Sequence, residues 1–202
     1  MVDTPHRHTY PLGTVDVAEA WTPSQVGAAV RAVLQGRDLP ASPHARILIK
    51  PNLNNDLPAL TGNCTDLRVL CALVEALQER GYTDITLADG SNVGIERRNI
   101  DVFGRLRMRQ VADLYGVKLL DLNRGAASPV LLHAGARPRV ADAVLGADYL
   151  ISVPTLKTHA EAQLSCACKN WVGICRAQDK REMHKDLGRN IATLIEVVPP
   201  DL

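Results

Sequence analysis

The chain has 202 residues, with 23 Lys plus Arg against 22 Asp plus Glu and a formal charge of +1. It therefore carries no global basic field to draw a nucleic acid. Charged residues at 22% and apolar residues at 46% exclude a disordered chain, and two Trp, four Tyr and one Phe leave little for a base-stacking platform or an aromatic cage.

The length suits one α/β domain over 1–202, with residues 1–20 as a weakly patterned N-terminal extension. A chain of this size removes roughly 70% of its unfolded surface from water, so it needs neither disulfides nor a structural metal to fold. His6, Arg7 and His8 read as a flexible terminal segment. Thr22-Pro23-Ser24-Gln25 then has the N-cap, first-position proline and third-position Gln of a helix start. Val26, Ala29, Val30, Val33 and Leu34 follow at helical spacing. Residues 46–50 form a short apolar run of the kind buried on both faces of a parallel sheet. Pro51 after it is expected to stop ladder pairing.

Thr65-Asp66 can cap a helix with Leu67, Leu70, Leu73, Val74 and Leu77 on one face, ended by Gly81. Residues 84–89 are a second strand, 105–115 a third helix and 117–121 a third strand. An edge strand is expected at 130–132 and a short helix at 141–145. The fourth main strand is 149–153, and a closing helix runs over 186–198. Alternating strands and amphipathic helices predict an α/β fold: a three-layer, mostly parallel, Rossmann-like sheet with helices on both faces.

The longest apolar run, 149–154, is strand-length, so no membrane span is expected. Without an N-terminal apolar stretch, the reducing cytoplasm is the expected compartment. Of five cysteines, Cys64, Cys166, Cys168 and Cys175 offer four thiolates for a metal or an iron-sulfur cluster. Their spacing matches none of the usual ligand patterns, and burial as small apolar side chains is the competing reading. No dinucleotide fingerprint, Walker motif or Gly-x-Ser-x-Gly elbow is present.

Ligands of such folds bind beyond the carboxyl ends of the strands, and the polar residues here gather after four strands. Lys50, Asn52 and Asn54 follow the first, and Asp89 and Ser91 follow the second. Asp121 to Asn123 closes the third, and Lys157 with His159 follows the fourth. Lys169, Asn170, Lys180 and His184 come soon after. Three lysines and two histidines from 157 to 184 make a local cationic pocket inside a neutral protein. Such a pocket suits a carboxylate or phosphate and can exchange protons near neutral pH. Lys157, His159 and His184 are the candidate catalytic groups; Lys50, Asn52, Asn54, Asp89, Ser91, Lys169, Asn170 and Lys180 are the candidate binding groups. The competing reading makes the lysines solvated surface charges and the histidines structural caps.

The strings Leu48-Ile49-Lys50-Pro51-Asn52, Asp89-Gly90-Ser91, Leu156-Lys157-Thr158-His159, Lys169-Asn170 with Gly173, and Lys180 with His184 resemble the family called domain of unknown function 362. Order and spacing agree over about 46–194. The resemblance implies an α/β protein of bacterial or archaeal type, with functional positions at Lys50, Asn52, Asp89, Lys157, His159, Lys169, Asn170 and His184. Some family members are fused to ferredoxin-type iron-sulfur modules, whose Cys-x-x-Cys-x-x-Cys run is not found here. Family chains usually continue into another strand and a Gly-rich region. The expectation is thus a minimal variant, a fragment, or a subunit whose site a partner chain or a second copy completes. The His and Lys rhythm is also similar to the nickel-cofactor lactate racemase family, which points to α-hydroxy-acid or proton-transfer chemistry. The cofactor remains open, and three functions stand: an enzyme acting on a small anion, a metal or iron-sulfur protein, and a non-catalytic subunit.

Overall fold

The computed structural model describes residues 5–11 and 13–202; residues 1–4 of the expected extension lie outside the described residues. β1 (His6–Tyr10) and β2 (Gly13–Val17) form an antiparallel hairpin with His6 opposite Val17. The Arg7 guanidinium meets Asp16 across the hairpin, Nε to Oδ1 at 2.7 Å, and Arg37 reaches the same carboxylate. His6, Arg7 and His8, expected as a flexible segment, are placed in β1 of this hairpin.

A 3-10 turn, Pro23–Gln25, leads into α1 (Val26–Leu34), and the Gln25 side chain accepts the Thr22 N–H at 2.9 Å as the sequence predicts. β3 (Ile47–Pro51) follows, then α2 (Leu67–Gln78), whose cap Asp66 accepts from Arg68 N at 2.9 Å. After β4 (Ile85–Asp89) come three short helices, α3 (Val93–Arg97), α4 (Val102–Arg105) and α5 (Met108–Tyr115). The single helix expected over 105–115 is broken at Arg107, whose φ of 57° is left-handed.

β5 (Lys118–Asp121) is followed by a ribbon of β6 (Ala127–Pro129) and β7 (Arg139–Ala141), so the expected edge strand sits three residues earlier and outside the main sheet. Then come α6 (Asp142–Leu145), β8 (Tyr149–Val153), and a small hairpin of β9 (Lys157–His159) and β10 (Gln163–Ser165). α7 (Ala167–Asn170) leads through 3-10 segments at Trp171–Ile174 and Ala177–Lys185 to α8 (Leu187–Val197).

The main sheet has four parallel strands in the order β5-β4-β3-β8. Alternation along β3 sends Ile47 and Ile49 to one face and Leu48 and Lys50 to the other. The first face packs on Leu70, Leu73 and Leu77 of α2 and Val111 of α5. The second packs on Trp171, Ile174 and Leu194, the last from α8. Helices thus cover both faces of a parallel sheet, as expected. Residues 201 and 202 lie along the outer edge of β8, where Ser152 N donates to Leu202 O at 2.6 Å.

The chain winds from β3 to β4 to β5, then returns to lay β8 on the other flank of β3. The strand order therefore reverses between β3 and β8, and a crevice opens at their carboxyl ends. Among the described residues, no helix is long and apolar enough to cross a membrane.

Candidate functional site

The crevice begins where the β3–β8 ladder stops. Pro51 is in register with Val153, so the proline does not end the pairing as expected; at the last position of a strand it removes only one donor. Beyond it the Thr65 hydroxyl stands between the strand ends, accepting Asn52 N at 2.8 Å and donating to Val153 O at 2.6 Å. This wedge splays the following loops, and their side chains line a cleft of about 270 Å³. That is slightly below the ~300–1,000 Å³ of drug-sized sites, so the cleft suits a small molecule.

At its floor Lys50 is 1% exposed. Its ammonium donates to Asp89 Oδ1 at 2.5 Å, Asn170 Oδ1 at 2.9 Å and Pro51 O at 3.0 Å. All three of its hydrogens are engaged. Burial pushes Lys50 below the ordinary lysine range, and the Asp89 charge opposes that shift. Asp89 is largely engaged as well: Oδ1 also accepts Gly90 N at 2.8 Å, and Oδ2 accepts Leu53 N at 2.6 Å. Lys50 and Asp89 thus fix the loops that form the cleft, and Lys50 has no hydrogen left for a ligand.

The other three lysines differ. Lys157 donates to Asn63 O at 2.6 Å and Asn52 Oδ1 at 3.3 Å, keeping one hydrogen. Lys180, 5% exposed, donates to Asn123 Oδ1. Lys169 is half-buried and has no hydrogen-bond or ion-pair partner among the described residues. Burial lowers the pKa of all three, Lys180 to about 8 against the pull of Asp89, and Lys157 and Lys50 lower Lys169 further. These four lysines and Asp89, the one carboxylate on the lining, give the cleft an excess of positive charge.

His159 and His184 face the same cleft with opposite polarity. His159 Nδ1 accepts the Glu161 and Ala162 backbone N–H groups at 3.2 and 3.1 Å. The neutral ring then carries its hydrogen on Nε2, which makes it a donor. Burial, reinforced by Lys169, holds its pKa below the usual histidine value. His184 Nδ1 instead meets the Glu161 carboxylate at 2.9 Å, which favours a hydrogen on Nδ1 and an open lone pair on Nε2.

Lys50, Asn52, Asn54, Asp89, Lys157, His159, Lys169, Asn170, Lys180 and His184 all lie on the lining. Ser91 does not: its hydroxyl is turned to Asn123 Nδ2 at 3.3 Å, behind the cleft. The expected cysteine centre is also corrected. Cys64 is buried in the core on one face of the sheet and Cys175 in the core on the other, while Cys168 is exposed on α7. Burial pushes the Cys175 thiol up to about 12 and raises Cys64, in keeping with small thiols packed in a core. Among the described residues no three His, Cys, Asp or Glu side chains could hold a metal ion.

Three contributors are not among the candidate catalytic and binding groups, although the sequence puts Asn123 after a strand and Gly90 and Gly173 in the quoted strings. Asn123, at the end of β5, holds Lys180 and accepts Ala177 N at 3.0 Å. Gly90 and Gly173 let two loops touch at the floor. A Cβ on Gly90 would lie 2.6 Å from Gly173 O, and one on Gly173 would lie 2.7 Å from both Asp89 Oδ1 and Lys50 Nζ. Their Asp-Gly and Lys-Asn-x-x-Gly contexts are visible in the sequence; the contact between them is not.

A solved structure, the lactate racemase apoprotein from Thermoanaerobacterium thermosaccharolyticum, is similar at a TM-score of 0.45 and 9% identity, over 97% of this chain and 54% of that one. The curated relative "Thylakoid-associated protein sll1697" of Synechocystis sp. is 27% identical over 176 residues, which cover 79% of this chain and 50% of that protein. The chain thus spans about half the length of that relative. The family model described as Domain of unknown function (DUF362) matches residues 47–202, every strand of the main sheet and the whole cleft lining included, and the chain belongs to this family.

Proposed function

We propose that the chain is an enzyme that binds a small carboxylate or phosphate at the strand ends and moves a proton on it. The observation that carries this reading is the set of unengaged donors. Lys157, Lys169 and Lys180 retain ammonium hydrogens toward a cleft whose one lining carboxylate is already bound by the Lys50 ammonium and two backbone N–H groups. An anion is the ligand that satisfies such a site, because charge-assisted hydrogen bonds in a partly buried cleft are the strong ones. In this reading Lys157 and the Nε2–H of His159 hold the anionic end. His184, oriented by Glu161, takes the proton, and Lys50 with Asp89 keeps the loops in place.

NMR in D2O on a mixture of small hydroxy-, oxo- and amino-carboxylates tests both halves. The expected result is line broadening of one or more acids and loss of the C2–H signal from a bound acid, with the exchange abolished in H184Q. Absence of broadening for every acid, and for inorganic phosphate by phosphorus NMR, contradicts the reading. Broadening with exchange unchanged in H184Q removes the role of His184.

A further inference from the structure

We propose that Lys169 is a nucleophile that forms an imine with the carbonyl carbon of a small oxo-acid held in the cleft. This rests on the reading that the cleft binds carboxylates, and it names the substrate class. Of the four lysines on the lining, Lys50 has all three hydrogens engaged, Lys157 two, and Lys180 is bound to Asn123 at the buried end. Lys169 alone meets no acceptor among the described residues, yet it stands on an anchored backbone. Its neighbour Asn170 donates to Lys50 O at 3.3 Å and Ser152 Oγ at 3.2 Å, and Asn170 Oδ1 accepts from Lys50. An anchored backbone, with Nζ on the cleft lining and free of acceptors among the described residues, leaves the lone pair available to a bound carbonyl.

The surroundings also ease the loss of a proton from its ammonium group. Burial and the Lys157 and Lys50 charges lower its pKa, and Glu161, the opposing charge, makes no ion pair with it. Desolvation beside other cations is a known way to free a lysine lone pair. The third hydrogen of Lys157 and the Nε2–H of His159 remain for the carboxylate and the carbonyl oxygen.

The step balances without an oxidant or reductant. The Lys169 lone pair attacks the carbonyl carbon, forming the C–N bond as the C=O pair moves to oxygen. A proton passes from nitrogen to that oxygen, giving a carbinolamine. The second nitrogen hydrogen and the C–O bond are then lost as water, leaving C=N. His184 can accept each proton at Nε2 and return it to the departing oxygen.

The test is borohydride reduction of the full chain in the presence of glyoxylate, pyruvate or acetoacetate, followed by peptide mass mapping, with propionate binding measured by calorimetry on the same protein. The expected result is a reduced adduct on Lys169 with at least one oxo-acid, suppressed by excess propionate and absent from K169R. The circular dichroism spectrum of K169R reports whether that variant is folded. Propionate binding without an adduct on Lys169 from any of the three acids overturns the imine and leaves the anion cleft standing. An adduct spread equally over exposed lysines such as Lys118 and Lys185 overturns it too. If neither propionate nor phosphate binds, the underlying reading falls with it.

Discussion

The Lys50 ammonium and the Asp89 carboxylate meet at 2.5 Å at the carboxyl end of the sheet, their side chains 1% and 3% exposed. This pair joins β3 to β4 and, through Asn170, joins both to α7. Removing one partner leaves a charge buried with no counter-ion, which typically costs about 3–5 kcal/mol. Asp89→Ala is therefore expected to lose about that much stability in urea unfolding. The double variant Lys50→Met, Asp89→Ala is expected to recover part of it, because no lone charge remains. A D89A variant as stable as the parent would show that the pair is not formed.

Gly173→Ala tests the close approach at the cleft floor. The new Cβ would press on both Lys50 Nζ and Asp89 Oδ1, neither of which has room to retreat. The expected destabilisation is about 1–3 kcal/mol, the usual range for overpacking, with anion binding weakened in parallel. Gly188→Ala, inside α8 where a Cβ meets nothing, is the matched control and is expected to stabilise by up to about 1 kcal/mol and to leave anion binding unchanged.

The two tests rest on different amounts of sequence information. The strand ends that carry Lys50, Asp89 and Lys157 are legible because continuous apolar runs bounded by Pro, Gly and Asn mark buried parallel strands. The cap at Asp66 and the closing helix at Leu187–Val197 are legible for the same local reason. What fails is long-range. Cys64 and Cys175 look like one ligand set until the sheet puts them in separate cores. Lys180 is expected as a binding group, but its string of charged neighbours does not show that it is buried against Asn123.

Lys180 sets a pH dependence. Its folded pKa of about 8 lies below the ordinary lysine value of ~10.4. Between those values the unfolded chain binds more protons, so this group's contribution to stability rises with pH across that window. Anion binding runs the other way. It is expected to be strongest below pH 8 and to weaken as the pH rises through it and Lys180 loses its charge. Near pH 8, binding an anion is expected to draw a proton onto the protein. Calorimetry in buffers of different ionisation enthalpy reads that proton directly, and binding that is flat across pH 8 with no proton uptake would exclude Lys180 from the ligand's field.

The most direct measurement is the affinity of the folded protein for whichever simple anion, propionate or inorganic phosphate, binds more tightly, repeated in Lys157→Gln, Lys169→Gln and Lys180→Gln. Lys118→Gln serves as the off-site control, since Lys118 is exposed and paired with Asp84 at the start of β5. Losing a charge-assisted hydrogen bond costs about 1.5–3 kcal/mol, so each cleft variant is expected to raise Kd by roughly tenfold or more while K118Q leaves it unchanged. Three cleft variants, folded by circular dichroism and binding the anion as tightly as the parent, would contradict an anion site at the strand ends.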